Sequence, residues 1–226
     1  MTKKKKFLWI AGFSIILMAG FYYFLFADTE YYKVKLPVLG YVQDFSFIDQ
    51  NGDRVTQKNV SGKVYVAEYF FTTCKGICPK MNENMKIVYN KYKNEADFKI
   101  ISHTCMPETD SVPLLKDYEQ KLLGDSVFSK AKMNWYFVTG NKDSLYRMAR
   151  ESYFLDNEKN NSLNIQDQFI HTQFFSLIDK QGRVRGIYDG LKKDELAKLD
   201  KDIKGLLKEK ISPTVFNNST FTNNPN

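Results

Sequence analysis

The sequence predicts an α/β domain behind one membrane-spanning helix. Three observations lead to this prediction. A charge-free apolar run lies near the N-terminus, short apolar segments then alternate with amphipathic helical ones, and a predicted hairpin precedes a closing helix. The chain has 226 residues, of which 43% are hydrophobic and 15% aromatic, so it can bury the core of one good-sized domain.

The apolar run, Phe7 to Phe26, has the length and composition of a membrane anchor. At ~1.5 Å per residue, a helix of this length spans the hydrocarbon core of a bilayer. Lys3 to Lys6 precede it, and Asp28 and Glu30 follow. The positive-inside rule therefore predicts a single pass through the cytoplasmic (inner) membrane, with the N-terminus in the cytoplasm and the globular part on the periplasmic or extracytoplasmic side.

A cleaved signal peptide is the alternative to an anchor. Its apolar region would be shorter and would end in small residues, whereas Phe24 to Phe26 are bulky. No cysteine directly follows the apolar run, which argues against a lipoprotein anchor. Lys3 to Lys6 also supply four of the seven net positive charges, so the remaining chain does not indicate a nucleic-acid partner.

The rest of the chain alternates between strand and helix patterns. A hairpin is expected where Phe45, Phe47 and Val55 flank the two-residue turn Asn51–Gly52. Periodicity and turn signals then predict further elements in this order: a strand at Lys63–Phe71, a helix at Met81–Tyr92, a strand at Phe98–Ser102, a helix capped by Ser111 and running to Leu122, a strand at Trp135–Val138, a helix at Asp143–Tyr153, a hairpin of Phe174–Ile178 with Val184–Tyr188, and a helix at Lys192–Lys208.

These patterns divide the chain into five parts. We expect a basic cytoplasmic end at 1–6, the anchor at 7–26, a connector at 27–39, one domain at 40–208 and a disordered tail at 209–226 that is rich in Asn and Thr.

Two cysteines, Cys74 and Cys78, fall where a predicted strand ends and a helix begins. The N–H groups and positive dipole end of a helix N-terminus stabilise a thiolate, and Lys75 and Lys80 add positive charge nearby. The spacing allows both sulfurs to face one way, to form a disulfide or to bind one soft metal ion. A purely structural disulfide is the simpler alternative.

The chain has one further cysteine, Cys105, and two histidines, His103 and His171. An exported protein meets an oxidising compartment, where the dithiol must be kept reduced or metallated to avoid pairing. His171 lies between a polar stretch and a predicted strand, where imidazole can act as a ligand, although an ordinary hydrogen-bonded histidine is the simpler interpretation. His103 is expected near the sheet rim, just past the strand end at Ser102.

Three blocks of the sequence resemble SCO (SenC-type) proteins, in that family's order and over roughly residues 40 to 207. The first is similar to F-x-T-x-C-x-x-x-C-P, the second to S-V-D-P-x-x-D-T-P-x-x-L-x-x-Y and the third to the D-H-T block with its strand and D-x-x-G turn. The matching residues are Phe70–Pro79 in the first block, Ser102, Pro107, Glu108, Asp110, Pro113, Leu115 and Tyr118 in the second, and His171, Thr172, Phe174–Ile178, Asp179 and Gly182 in the third.

The resemblance implies a thioredoxin-like fold, with a central mixed sheet flanked by helices and an N-terminal hairpin. It also implies a copper site, for Cu(I) or Cu(II), whose ligands are Cys74, Cys78 and His171. Family members deliver copper to the binuclear centre of cytochrome c oxidase subunit II, or reduce the cysteines of that centre. Others are thought to act more broadly on exported copper or thiol proteins.

Two departures from the family pattern stand out. Ile170 replaces the aspartate that precedes the histidine, so Asp167 is the nearest upstream carboxylate that could orient the imidazole. The second block is one to two residues longer and adds His103 and Cys105. Cys105 is interpreted as a small buried residue, with a resolving thiol or a further soft ligand as alternatives. Met81 and Met85 are interpreted as core residues.

Three functions therefore compete. The first is a membrane-anchored copper chaperone, which is a binding protein and not an enzyme, and two thiolates with one imidazole suit copper in this role. The second is a thiol–disulfide oxidoreductase in which Cys74 attacks a partner disulfide and Cys78 resolves it. The third is a thiol peroxidase. It is disfavoured because the sequence places no arginine near Cys74 to stabilise a peroxide transition state, and Lys75 is the only cation adjacent to Cys74. His171 distinguishes the first two, since disulfide reduction does not require it.

Overall fold

The computed structural model of the chain describes residues 2–26, 36–124, 134–156, 170 and 172–210. The chain separates into two compact units, Met1–Leu36 and Pro37–Asn226. The first unit contains α1, Lys3–Phe26, and Lys3–Tyr23 is long and apolar enough to span a membrane by length and composition. The helix predicted for the apolar run is therefore present.

In its described residues, the second unit is built on one mixed sheet of eight strands, in the order β1-β8-β7-β4-β5-β6-β2-β3. Its elements are β1 Gly40–Tyr41, β2 Ser46–Asp49, β3 Arg54–Thr56, α2 Gln57–Val60, β4 Val64–Phe70, α3 Cys78–Tyr92, β5 Phe98–Thr104, α4 Val112–Leu123, β6 Trp135–Thr139, α5 Lys142–Arg147, a π-helix at Met148–Ser152, β7 Phe174–Ile178, β8 Arg183–Asp189 and α6 Lys193–Lys208.

β4, the fully buried central strand, positions the rest of the sheet. It pairs in parallel with β5, which pairs in parallel with β6, while β7 lies antiparallel on the other side of β4. Parallel neighbours need crossover connections, and α3 and α4 provide them. Helix packing on both faces explains why β4 reads as a continuous apolar run interrupted only by Glu68.

Side chains alternate between two cores along these strands. Phe70 packs against Tyr118 of α4 and against Phe137 of β6, on the face covered by α3 and α4. Tyr69 points to the opposite face and donates a hydrogen bond to the Leu145 carbonyl of α5. Met81 and Met85 are fully buried, as their helical spacing predicts.

The expected position of His103 is wrong. β5 continues through Thr104, two residues beyond the predicted end at Ser102, so His103 lies inside the sheet and is completely buried. Its ring stacks on Tyr69, with ring centroids 4.9 Å apart, and packs against the rings of Phe47 and Tyr153. Burial lowers the His103 pKa to about 3, so the ring is a neutral core group.

Three other local predictions need correction. The β2–β3 hairpin is present, but its loop is longer than a two-residue turn, with Asp49 Oδ1 accepting from the N–H groups of Asn51 and Asp53. Ser111 occupies the N-cap of α4 without a side-chain capping bond. The helix predicted over 143–153 divides into α5 and the π-helix. Predictions for 27–35, the polar stretch 157–168 and the tail from 211 fall outside the described residues.

Candidate functional site

The two cysteines lie on the connection from β4 to α3. β4 ends at Phe70, and α3 begins at Cys78 with Pro79 in its first turn, where proline needs no hydrogen-bonded N–H. Cys78 is buried beneath this turn, and Cys74 is half-buried. The predicted strand-to-helix junction is confirmed, and both thiols are free.

The thiols differ in electrostatics although they are hydrogen-bonded to each other. Burial raises the Cys74 pKa, but hydrogen bonds from the Cys78 thiol and from the N–H groups of Cys78, Gly76 and Ile77 outweigh it, leaving that pKa below its ordinary value. Burial and the bond to Cys74 raise the Cys78 pKa to about 12. Cys74 is therefore the more acidic thiol of the pair, and Cys78, which donates the hydrogen bond to it, is the less acidic one.

Asp110 fixes the loop that carries Cys74. Its carboxyl group, completely buried, accepts hydrogen bonds from the Thr72 hydroxyl at 2.6 Å and from the Thr72 N–H at 3.2 Å. It also accepts a hydrogen bond from the Thr104 hydroxyl at the end of β5. The loop that carries Cys74 is thus attached, through Thr72, to the end of β5 by a buried carboxyl group.

Glu68 lies on β4, on the face covered by α3 and α4, and is completely buried. Its Oε1 accepts a hydrogen bond from Ser102, whose hydroxyl accepts one from the Trp135 indole N–H at 2.8 Å. Its Oε2 has no hydrogen-bond partner among the described residues. Burial raises the Glu68 pKa to about 8, and its charge contributes to the raised pKa of Cys78. An ionisable carboxyl group therefore lies within electrostatic range of the buried thiol.

β7 leads back toward the cysteines. Because it runs antiparallel to β4, with Ala67 opposite Ser176, its first residue Phe174 falls level with Tyr69 near the end of β4. Thr172 just precedes it and accepts a hydrogen bond from the Phe174 N–H. His171 and Asp167 themselves lie outside the described residues, so their roles stay predictions.

Cys105 lies just past β5 and is 2% exposed. Its backbone N–H and its thiol both bond to the Phe70 carbonyl, at 2.9 and 3.2 Å, and it belongs to the core cluster on the α5 face. Burial and the nearby charges of Cys78, Asp110 and Cys74 raise its pKa. The interpretation of Cys105 as a small buried residue agrees with this environment.

The donor chemistry fits a soft metal ion. Two adjacent sulfurs are typical ligands of Cu(I). Among the described residues, no three His, Cys, Asp or Glu side chains converge as a metal-binding group. Cys105 therefore does not complete a three-ligand cluster with Cys74 and Cys78.

Sequence reasoning did not assign roles to Glu68, Thr72 and Asp110. A signal for Glu68 was available, since it is the one charged residue between Val64 and Phe70. Asp110 and Thr72 are 38 positions apart, and only the parallel pairing of β4 and β5 shows that they meet.

A mixed sheet with a dithiol at the start of the helix after its central strand defines a thioredoxin-like protein. Within that class, the SCO1/SenC family profile matches residues 37–208. The chain belongs to this family. The resemblance noted from three short blocks thus extends over residues 37–208 of the second unit.

Individual relatives agree with this assignment. The chain is 29% identical over 190 residues to the SCO1 protein homolog of Bacillus subtilis (strain 168), covering 83% of this chain and 94% of the relative. It is 30% identical to the solved structure of BsSco, which is described as having a disulfide switch and belonging to the Sco family of cytochrome c oxidase assembly proteins. That match has a TM-score of 0.62 and covers 79% of this chain and 99% of the other.

A more distant structure has the same fold. Arabidopsis thaliana ScoI, solved with copper bound, is 20% identical with a TM-score of 0.55, over 74% of this chain and 99% of the other.

Proposed function

We propose that this protein is a membrane-anchored copper chaperone for cytochrome c oxidase assembly, with copper as its cargo. One observation carries the proposal: a half-buried cysteine thiol and a buried one are hydrogen-bonded to each other at the start of α3. The register of β7 against β4 brings the start of β7 level with the end of β4, the strand that leads to these two soft donors. Membership of the SCO1/SenC family supports the recipient class.

Cys74 and Cys78 would provide two sulfur ligands, and His171 would provide the imidazole. The antiparallel register of β7 supports this third ligand, because Thr172 follows His171 directly and lies just before β7. A ligand from a separate segment suits a chaperone, which must release its metal. Asp167 is proposed to orient the imidazole.

Copper titration of the reduced full chain in detergent tests the site. We expect one copper ion per chain, loss of tight binding in Cys74→Ala and Cys78→Ala, and weaker binding with an altered Cu(II) spectrum in His171→Ala. Cys105→Ser is the matched control, because it removes a thiol outside the pair. Unchanged stoichiometry and spectra in the three ligand variants would refute the site.

A thiol–disulfide oxidoreductase is the second candidate. The opposite pKa shifts of Cys74 and Cys78 favour it, because an attacking thiolate beside a protonated resolving thiol is what disulfide exchange requires. Reduction of the recipient's copper-binding cysteines would use the same pair. His171→Ala separates the functions, since it should weaken copper binding and leave disulfide exchange intact.

The proposed recipient is cytochrome c oxidase subunit II, or another exported copper or thiol protein.

The proposed topology has residues 1–6 in the cytoplasm, the anchor at 7–26 and the domain at 40–208 outside the cytoplasm, after a connector at 27–39. The four lysines before an apolar helix support this orientation. Protease added from outside should digest the domain of the membrane-bound protein. Recovery of a shortened, freely soluble chain would show that the apolar segment is cleaved.

A further inference from the structure

An open groove of about 450 Å³ lies beside Cys74, between the start of α3 and the exposed side of α4. Cys74 lines this groove and Cys78 does not. The more accessible sulfur of the pair is therefore part of the groove wall.

The groove has a preformed apolar wall. Pro79 of α3 and Leu114 and Tyr118 of α4 line it. The Tyr118 ring is held in place because it packs on Phe70 and its hydroxyl accepts a hydrogen bond from the Asn82 amide. A wall fixed in this way can accept an apolar side chain without a large ordering cost.

The charged residues of the groove lining are two acids and one base, and Lys75 and Lys80 lie outside that lining. Glu83 of α3 and Asp117 of α4 line it together with a single cation, Lys121. Neither carboxylate forms an ion pair with any residue in the described part of the chain. Two carboxylates that form no ion pair, beside an apolar wall, favour a ligand with both an apolar and a basic side chain.

We infer that this groove binds a cysteine-bearing segment of a partner protein, with a large apolar side chain against Leu114 and Tyr118 and a basic side chain beside Glu83 and Asp117. The inference deepens the proposed function, on which it rests, because it names the surface that presents a recipient's thiols to Cys74. A free small molecule and a second copy of this chain are the alternative occupants.

Two synthetic peptides test the inference. Each contains one cysteine as a mixed disulfide with thionitrobenzoate, flanked by leucine and lysine in the first peptide and by glycine and serine in the second. The protein is the full chain with Cys78→Ser, so that a mixed disulfide at Cys74 persists. The Cys74 thiolate attacks the peptide sulfur, the new disulfide forms and the thionitrobenzoate anion leaves, which absorbance records. We expect the leucine–lysine peptide to react about tenfold faster.

Groove variants locate the preference. Leu114→Ser should bring the two rates together, whereas Ile87→Ser should keep the tenfold difference, since Ile87 is an exposed α3 residue outside the groove. Asp117→Lys should slow the reaction of Cys74 with the leucine–lysine peptide and accelerate its reaction with a leucine–glutamate peptide. Equal rates for the first two peptides, or a preference that survives Leu114→Ser, would overturn the inference. So would a dimer of the full chain that Leu114→Ser dissociates.

Copper stoichiometry, measured on the chain with both cysteines and on its Leu114→Ser variant, separates this inference from the proposed function. One copper ion per chain without a peptide preference would overturn only the groove assignment. A peptide preference without copper binding would refute the chaperone and support the oxidoreductase.

Discussion

Thr72 and Asp110 connect the cysteine loop to β5 through a 2.6 Å hydrogen bond between the threonine hydroxyl and the buried carboxyl group. Thr72 also donates its backbone N–H to the same group. The position of Cys74 relative to the sheet therefore depends on a side chain that lies beyond the next strand.

Removing the Thr72 hydroxyl should destabilise the protein. Thr72→Val leaves a buried oxygen of Asp110 without that donor, which costs about 1–3 kcal/mol in the free energy of unfolding. Thr72→Ser keeps the donor and should cost less, and Thr73→Val changes an exposed neighbour as the control. Urea unfolding of the full chain in detergent measures all three. Equal stability of Thr72→Val and Thr72→Ser would contradict a structural role for this bond.

Cys74 should be alkylated first. Its pKa is below the ordinary thiol value and its sulfur is accessible, whereas the pKa values of Cys78 and Cys105 are raised by burial. At neutral pH, iodoacetamide should modify Cys74 at least tenfold faster than either of the others. Peptide mass mapping after timed quenching gives the three rates. Comparable rates at Cys74 and Cys78 would argue against the asymmetry of the pair.

Glu68 should make stability fall as pH rises. The folded protein keeps the Glu68 proton up to a pKa of about 8, whereas an unfolded glutamate releases it near 4.5, so the folded state binds more protons between these values. The free energy of unfolding should decrease by ~1.4 kcal/mol per pH unit there, relative to Glu68→Gln.

The full slope is expected between about pH 5.5 and 7, where the folded carboxyl group is protonated and the unfolded one is ionised. Below pH 6.5 the buried neutral His103 has the opposite effect, because its pKa is about 3 when folded and 6.5 when unfolded, but this effect is common to both proteins and cancels in the comparison with Glu68→Gln. Glu83→Gln, on the exposed side of α3, is the matched control and should leave the slope unchanged. A slope that Glu68→Gln does not alter would show that this carboxyl group is already ionised in the folded state.

Cys105 should remain a free thiol after air oxidation. Its sulfur bonds to the Phe70 carbonyl within the core on the α5 face, so pairing with Cys74 or Cys78 would require it to leave that core. Cys105→Ser should leave copper stoichiometry unchanged. Thiol labelling and disulfide mapping of the oxidised protein test this. A main product with a Cys105–Cys74 or Cys105–Cys78 bridge would favour an oxidoreductase with a built-in resolving thiol.

The sequence predicts the order of elements well because the main strands and helices have strong local signals. Predictions fail where the outcome depends on distant residues. His103 lies inside β5, enclosed by the rings of Phe47 of β2, Tyr69 of β4 and Tyr153, which directly follows the π-helix, and no local pattern reports such an enclosure. A polar residue after an apolar segment is otherwise a reasonable strand end.

The candidate site shows the same division. Cys74 and Cys78 are recognisable because their chemistry and their junction are local in sequence. Asp110 is not, because its importance comes from the parallel pairing of β4 with β5, whereas Glu68 gives a local signal as the one charged residue of β4. The proposed role of His171 depends in turn on where β7 pairs.

The antiparallel pairing of β7 with β4 also sets an order of assembly during synthesis. β4, α3 and β5 are consecutive, so this unit can form while the chain is still emerging from the ribosome or the export channel. β7 follows α4, β6 and α5 in the chain. Its pairing with β4 forms more slowly than the β4–α3–β5 unit, because the paired residues are far apart in sequence. A chain that emerges N-terminus first therefore exposes its dithiol before the segment with His171 arrives. At the proposed extracytoplasmic copper site, a disulfide between Cys74 and Cys78 can therefore form during that interval, before the proposed imidazole ligand is present.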